Sequence, residues 1–600
     1  MFSWRSSFWI VALIALGWSV HGATVVERSV AIEIRGDGKV REHESLRVRI
    51  EDRRDLALWR QHRVYLDDHR KLVSARGLLR MPDGEVRRGR RKNQDRVKLP
   101  SGNFHDSSQL LIMSFPEAVV GSVLEVRTEV EIEPYYPVES VLLSGELPVE
   151  NLTVRLDGGG PSLYWKIEGD ADPFDVQTLE NGGLEISTTG LKPAADGPSV
   201  LRYSWASDPT WERVGQWYRE LLSGVPEGGP EVARQARSLL SDSPRSTLEE
   251  LTRFVQQSVR YVAVEVGIGG FQPSPPRLVL KRRWGDCKDK SMLLMEMLRA
   301  VGIDAFPALV RARQDAVDED FPSPTQFNHL ILAVPARQLA TASGDAVGGG
   351  YLFVDPTQSM GGSRWLNPLL GGQLALVVGS SINDLVQIPV SAQAERRELE
   401  VNLTVDSSGD AVGELVLKLR GQAAVELLSA GPPDQMRVTG RSFVERRLSG
   451  VEIDRLDWLS KDDNGPFVEL SATVRWSRLL IGHGGEFALR IPGLRLTPES
   501  RRLENEVGSV APGQLGSVFD VTLPWPCQVA ARRSVDSGDS PLGRFQQTIV
   551  QSEASRLRIH REGSLHRRWL GPSEVQALRR LIAVENRNLS RSLRLACKVP

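Results

Sequence analysis

Three residues, Cys287, His329 and Asp355, have the types and the order that nucleophilic acyl chemistry requires. Cys287 sits in Gly285-Asp286-Cys287-Lys288-Asp289-Lys290-Ser291, ahead of an apolar stretch, Met292 to Leu298, with no Gly or Pro until Gly302. That stretch predicts a largely buried helix with Asp286 as its N-cap, which puts Cys287 in the first turn. Unpaired backbone N–H groups and the helix dipole favour a thiolate there, the nucleophilic form of cysteine. Asp286 and Asp289 oppose that charge, so the sulfur needs a base. Phe327-Asn328-His329-Leu330-Ile331-Leu332-Ala333-Val334 reads as a strand with His329, Ile331 and Ala333 on one face. Tyr351-Leu352-Phe353-Val354-Asp355-Pro356-Thr357 reads as a second short strand stopped by Asp-Pro. Antiparallel pairing across Gly348 to Gly350 makes His329 and Asp355 neighbours, and a nucleophile, a base and a carboxylate that orients the base come together.

The order of these pieces, with GDCKDKS opening a helix, FNHLIL on a strand and YLFVDPT on the next, resembles the transglutaminase-like superfamily. It is closest to the bacterial envelope branch, in which an uncharacterised β domain precedes the cysteine domain. The resemblance covers roughly Asp208 to Val390. It implies a cysteine-protease-like α+β domain with Cys287 as nucleophile, His329 as base and Asp355 as acid. Transglutaminases proper carry Gln before and Trp after the cysteine, where this chain has Asp286 and Lys288. The departure turns the expectation from protein cross-linking toward a peptidase or amidase.

Acyl transfer also needs an oxyanion donor. The Cys287 N–H at the helix start is the first candidate, with Gln272 in the Phe-Gln-Pro loop and Tyr261 as side-chain candidates. Asn328 is expected to fix the His329 strand rather than to react. Lys288 and Lys290 read as solvated, with screening of the two Asp residues or contact with an acidic substrate as the sharper alternative. None of the nine histidines is spaced with another as a metal pair, so neither metal nor cofactor is expected. Of the three cysteines, Cys527 and Cys597 are left as a disulfide candidate, the alternative being two unrelated buried thiols.

These residues need a large scaffold. Six hundred residues imply three or four domains. A net charge of −1 gives no reason to expect nucleic acid or an anionic membrane as partner. Arg5, the apolar run Phe8 to Trp18 and the small residues after it read as a signal peptide over 1–23, cleaved near Gly22 or Ala23, with an uncleaved anchor as the alternative. Residues 24–207 alternate apolar and charged positions between turns such as Gly36-Asp37-Gly38, which predicts an antiparallel β-sandwich. The basic run Arg87 to Lys92 reads as a solvated edge or loop, or as a binder of an anionic polymer.

The cysteine domain is expected over 208–390. Its helices start at Pro209, near Pro230, and after a capping box Ser246-Thr247-Leu248-Glu249. The acidic, Pro-rich segment Asp315 to Pro324 reads as a surface loop or as a lid. Residues 391–600 return to alternation and predict a C-terminal β-rich domain with a final helix. No internal repeat is visible beyond a loose β–α/β–β symmetry.

The fold class expected is therefore multidomain: N-terminal β-sandwich, central α+β cysteine-protease-like domain, C-terminal β-rich domain. The function expected is thiol acyl transfer on an amide bond by an exported, periplasmic or secreted protein whose partner is a peptide or protein of the envelope. The alternative is a catalytically silent scaffold that uses its β domains for binding. Thiol labelling that depends on His329 separates the two.

Overall fold

The structure is a computed structural model. It describes residues 22–600 apart from 54–55, 90–93, 99–108, 159–161, 195–197, 264–266, 313–315, 341–344, 380–382, 391–394, 430–432, 463–464, 492, 495–512, 530–535, 566–571 and 591. The apolar N-terminal run, Arg90 to Lys92 and Asp315 lie outside the described residues. The chain is multidomain and mostly β, and it divides into two compact units. One comprises residues 1–225, 262–274 and 318–328, and the other 226–261, 275–317 and 329–600.

The first unit is built on an eight-stranded sheet. Strict alternation in strands such as Val123–Ile132 sends Leu124, Val126, Val130 and Ile132 inward, each at most 3% exposed, and charged residues outward. The outward charges pair across strands, as Arg41 does with Glu129 (2.6 Å) and Glu131 (2.9 Å). A three-stranded sheet of Val138–Leu142, Tyr164–Glu168 and Val200–Ser204 is also present. The large sheet departs from the antiparallel expectation at one pairing: Ala23–Ile34 runs parallel to Val149–Asp157. Alternation reports which face a residue takes and is blind to strand direction, so the sequence pattern does not carry this.

One helix and two segments from later in the chain complete this unit. Helix α1 (Trp211–Ser223) starts at its cap Thr210, whose hydroxyl accepts from the Arg213 N–H at 3.3 Å, and not at Pro209. Against α1 lies 267–274, where the Tyr218 hydroxyl donates to the Phe271 carbonyl at 3.3 Å. The acidic segment is strapped down: Lys166 pairs with Asp318 at 2.7 Å, Trp211 Nε1 donates to the Glu319 carbonyl at 2.9 Å, and Tyr164 bonds the Asp320 carbonyl. Phe321 stacks on Tyr164 and is fully buried. Held at these points, 318–324 lies strapped along the first unit.

The second unit holds four further helices of the central region. These are α2 (Gly229–Arg237), α3 (Pro244–Ser258), α4 (Pro276–Arg282) and α5 (Cys287–Arg299). They accompany a six-stranded antiparallel sheet with Phe306–Val310, His329–Pro335 and Tyr351–Val354 among its strands. In α5, Leu293, Leu294, Met297 and Leu298 are completely buried, each contributing about 1.5–3 kcal/mol. Helix α3 begins earlier than the capping box suggests. Ser243 is its cap, accepting from the Ser246 N–H at 3.1 Å, and Glu249 is released for another contact.

Beyond residue 395 lies a second eight-stranded sheet with a four-stranded companion. It repeats the strand topology of the first. Seven strands of the N-terminal sheet in chain order (Ala23–Ile34, Val40–Ile50, Arg70–Arg80, Val123–Ile132, Val149–Asp157, Asp175–Thr178, Leu184–Leu191) lie side by side as sixth, seventh, fifth, first, second, fourth, third. Glu395–Val405, Ala411–Arg420, Val451–Asp462, Phe467–Trp476, Gly513–Thr522, Gly543–Glu553 and Arg556–Leu565 lie in the same order, again with first and fifth parallel. The opening hairpins share their turn. The Arg35 N–H donates to Lys39 and the Gly38 N–H to Arg35, as the Asp406 N–H does to Asp410 and the Gly409 N–H to Asp406. Gly38 and Gly409 both occupy the left-handed region, at φ 82° and 89°, where a side chain would be strained. A repeat is therefore present after all. It resides in strand pairing, which tolerates any side chain of the right polarity and so leaves no periodic motif.

Candidate active site

Asp286 caps α5 through a hydrogen bond from the Asp289 N–H to its carboxylate at 3.1 Å, which places Cys287 at the first helical position. The backbone N–H at such a position has no carbonyl partner within the helix. The approach is tightly specified. Arg283 takes a left-handed φ of 59° at the end of α4, and a Cβ on Gly285 would lie 2.6 Å from that of Asp289. Only glycine lets this turn close onto the helix start. Cys287 is 6% exposed and is the free cysteine of the described residues.

The charges that seemed to oppose a thiolate are compensated locally. Asp286 pairs with Lys288, and Asp289 accepts from Arg282 at 2.5 Å. The Arg282 guanidinium also lies 3.9 Å over the Trp284 ring. Burial pushes the Asp286 carboxyl up, with Lys288 acting against it. Lys288 and Lys290, expected to be solvated, are 4% and 1% exposed. The first is held by its carboxylate, the second by carbonyls at the end of α3. That is the satisfaction a buried ammonium requires.

His329 opens its strand, and the pairing of that strand with Tyr351–Val354 is antiparallel, Leu332 opposite Val354 and Val334 opposite Leu352. Continued, this register makes His329 and Asp355 diagonal neighbours on one face. His329 Nε2 lies 3.0 Å from Asp355 Oδ2. The Cys287 side chain also acts on this imidazole, whose Nδ1 is the ring nitrogen not turned to Asp355. Asp355 Oδ1 accepts from the Thr357 N–H at 2.8 Å and its hydroxyl at 2.6 Å, so both carboxylate oxygens are engaged. Burial alone would pull the His329 imidazole down. The charge and hydrogen bond of Asp355, with the sulfur adding to them, push it up to about 10. Asp355 is correspondingly low: His329 and Thr357 outweigh the burial that would raise it.

Cys287, His329 and Asp355 all belong to the second unit, His329 and Asp355 in hydrogen-bond contact and the Cys287 side chain acting on the same imidazole. Tyr261 belongs to the same unit, its short strand running parallel to Trp284–Gly285 with Tyr261 opposite Gly285, and it is 36% exposed. Gln272 belongs to the first unit, where its amide donates to the Leu221 carbonyl at 3.1 Å. Asn328 ends the strap of that unit and immediately precedes His329. Cys527 and Cys597 lie directly opposite each other on adjacent strands and form a disulfide of 2.06 Å, remote in sequence from the triad residues. Among the described residues no group of His, Cys, Asp and Glu is arranged to hold a metal, and no helix is long and apolar enough to cross a membrane. What sequence reasoning misses here is a set of buried polar residues on α3 and α5, Glu249, Gln256 and Lys290.

No family model matches the chain, and no curated protein matches it. Solved structures do. A "putative protease" from Parabacteroides distasonis is 13% identical, covers 96% of this chain and 99% of its own, and superposes with a TM-score of 0.60. A "putative cysteine protease" from Cytophaga hutchinsonii (9% identity, 53% of this chain and 76% of its own) reaches a TM-score of 0.12. Red sea bream transglutaminase (11% identity, 88% and 91%) reaches 0.17. Scores that low carry no argument. The chain thus shares its β-rich, multidomain fold with the Parabacteroides structure over nearly its whole length.

Proposed function

We propose that the chain is an exported, transglutaminase-like cysteine enzyme that transfers the acyl group of an amide, with water as the favoured acceptor. In this reading a central domain over 208–390 carries the chemistry between β domains over 24–207 and 391–600, the signal over 1–23 is removed, and the substrate is a peptide or protein of the envelope. The observation that carries it is the contact of His329 Nε2 with Asp355 Oδ2, on an imidazole that also responds to the Cys287 side chain.

His329, kept protonated by Asp355, already holds the Cys287 proton on Nδ1 before the sulfur bonds to the amide carbonyl carbon. The oxyanion that forms faces the start of α5, where the Cys287 N–H is a donor. Tyr261 remains a proposed side-chain donor, and Asn328 a support for the His329 strand. The C–N bond then breaks, and the imidazolium gives its proton to the departing amine. Water, deprotonated by the same imidazole, cleaves the thioester and restores the thiol. Asp355 keeps the ring oriented and its charge compensated throughout. Base assistance of this kind contributes about 10²–10⁴ in rate. Hydrolysis is favoured over cross-linking by Asp286 and Lys288 beside the sulfur, and it agrees with the description of the Parabacteroides neighbour as a protease.

Trapping the intermediate tests the proposal. After incubation with an activated ester such as p-nitrophenyl acetate, intact-mass and peptide mapping should find one acetyl group, on Cys287. Equal labelling of the Cys287→Ala protein would reject the assignment.

A further inference from the structure

Three buried polar side chains near the triad do not meet the sulfur. Glu249 and Gln256, 4% and 5% exposed, are two turns apart on α3 and share a face. Both reach the loop that follows Asp355. Gln256 Nε2 donates to the carbonyls of Asp355 (3.1 Å) and Gly362 (3.2 Å), and its Oε1 accepts from the Gly362 N–H (3.0 Å). Glu249 Oε2 accepts from the Ser363 N–H (3.0 Å) and hydroxyl (2.7 Å). Lys290, one turn beyond Cys287, donates to the carbonyls of Gln256 (3.4 Å) and Val259 (2.7 Å) at the end of α3. One helix therefore grips both the helix of the nucleophile and the loop of the acid.

Gln256 makes the decisive contact. Thr357 holds Oδ1 of Asp355, and Gln256 holds the carbonyl of the same residue, so Oδ2 has a single direction left to it, toward His329. A packing role alone would not require an amide whose three hydrogen bonds all end on the backbone of Asp355 and Gly362. An apolar side chain of the same length would fill that space without the cost of burying an amide.

We propose that Gln256 is the positioning residue of the triad. It fixes the main chain of Asp355 so that the carboxylate meets His329, while Lys290 ties the nucleophile helix to the same point. The proposal rests on the triad reading above, and its test reads the imidazole–carboxylate bond separately from the sulfur. Gln256→Met keeps the length of the side chain and removes its hydrogen bonds. Glu250→Gln, a partly buried residue of the same helix paired with Arg253 at 2.7 Å, serves as the control.

In protein with ¹⁵N-labelled histidine, the His329 Nε2–H resonance should be the same in wild type and Glu250→Gln. In Gln256→Met it should shift toward its position in Asp355→Asn, with the near-UV circular dichroism of the folded chain retained. Alkylation of Cys287 by iodoacetamide at neutral pH should slow by about a hundredfold, the scale of a misplaced reacting group. Should Gln256→Met not fold, Gln256→Glu keeps the acceptor for Gly362 and turns the donors into acceptors facing carbonyls, and it should shift the same resonance. An unchanged resonance in either folded variant overturns the proposal. A wild-type thiol that alkylates equally fast with and without His329 would instead refute the triad reading, and the resonance would still decide the role of Gln256.

Discussion

His329 Nε2 meets Asp355 Oδ2 at 3.0 Å, the two standing diagonally across an antiparallel pair whose register is set by Leu332 opposite Val354 and Val334 opposite Leu352. The contact follows from sheet register, so it does not need the sulfur, and its consequences can be measured one at a time.

Replacing Asp355 with Asn keeps the shape and removes the charge. Turnover, or acylation of Cys287 by an activated ester, should fall by about 10⁴, the loss expected when an imidazole is no longer held in its working tautomer. Circular dichroism should stay that of the folded chain. A loss of under tenfold would show that the carboxylate does not orient the base.

Stability should fall with rising pH through His329. Its folded-state value is pushed up to about 10, against about 6.5 unfolded, so its contribution is complete below about 6.5 and is lost as pH rises through about 10. Lys290 has the opposite sign. Burial lowers it to about 8, with Asp355 acting against this, so the unfolded chain holds that proton longer and stability rises from about 8 toward about 10.4. Thermal melts over this range should therefore fall less steeply for His329→Gln than for wild type, and more steeply for Lys290→Met. Parallel curves for all three would contradict both assignments.

Gly362 takes a left-handed φ of 54°, and a Cβ there would overlap Glu249 Oε1. Gly362→Ala should cost about 2–3 kcal/mol, combining backbone strain with displacement of a buried carboxylate. The thiol should become less reactive in the same variant, because the displaced loop carries Asp355. Denaturant melts and alkylation rates check the two parts.

The disulfide between Cys527 and Cys597 closes a loop with a sequence separation of 70. In chain-entropy terms it is worth about 4 kcal/mol, and replacing both cysteines with Ala should lower the melting temperature accordingly. The reactivity of Cys287 should be unchanged, since Cys527 and Cys597 belong to another sheet.

The legible parts of this molecule are local. Asp286 can be read as a cap and Met292 to Leu298 as a buried helix because each signal spans a few residues. Glu249, Gln256 and Lys290 are illegible for the same reason: polar residues on a helix look solvated until their distant partners are known, the loop after Asp355 for the first two and the end of α3 for the third. Glu249 misleads further, since its place after Ser246 mimics a capping box while its carboxylate serves Ser363. The repeat of the strand topology leaves no trace that alternation alone can show. The parallel pairing of Ala23–Ile34 with Val149–Asp157 depends on how far apart partners are brought and not on which residues they contain.

The most direct measurement is the rate at which iodoacetamide alkylates Cys287 at neutral pH, compared between wild type and His329→Ala. Loss of the imidazole should slow the reaction by about 10² or more, within the range of base assistance. Equal rates in the two proteins, both folded, would contradict it.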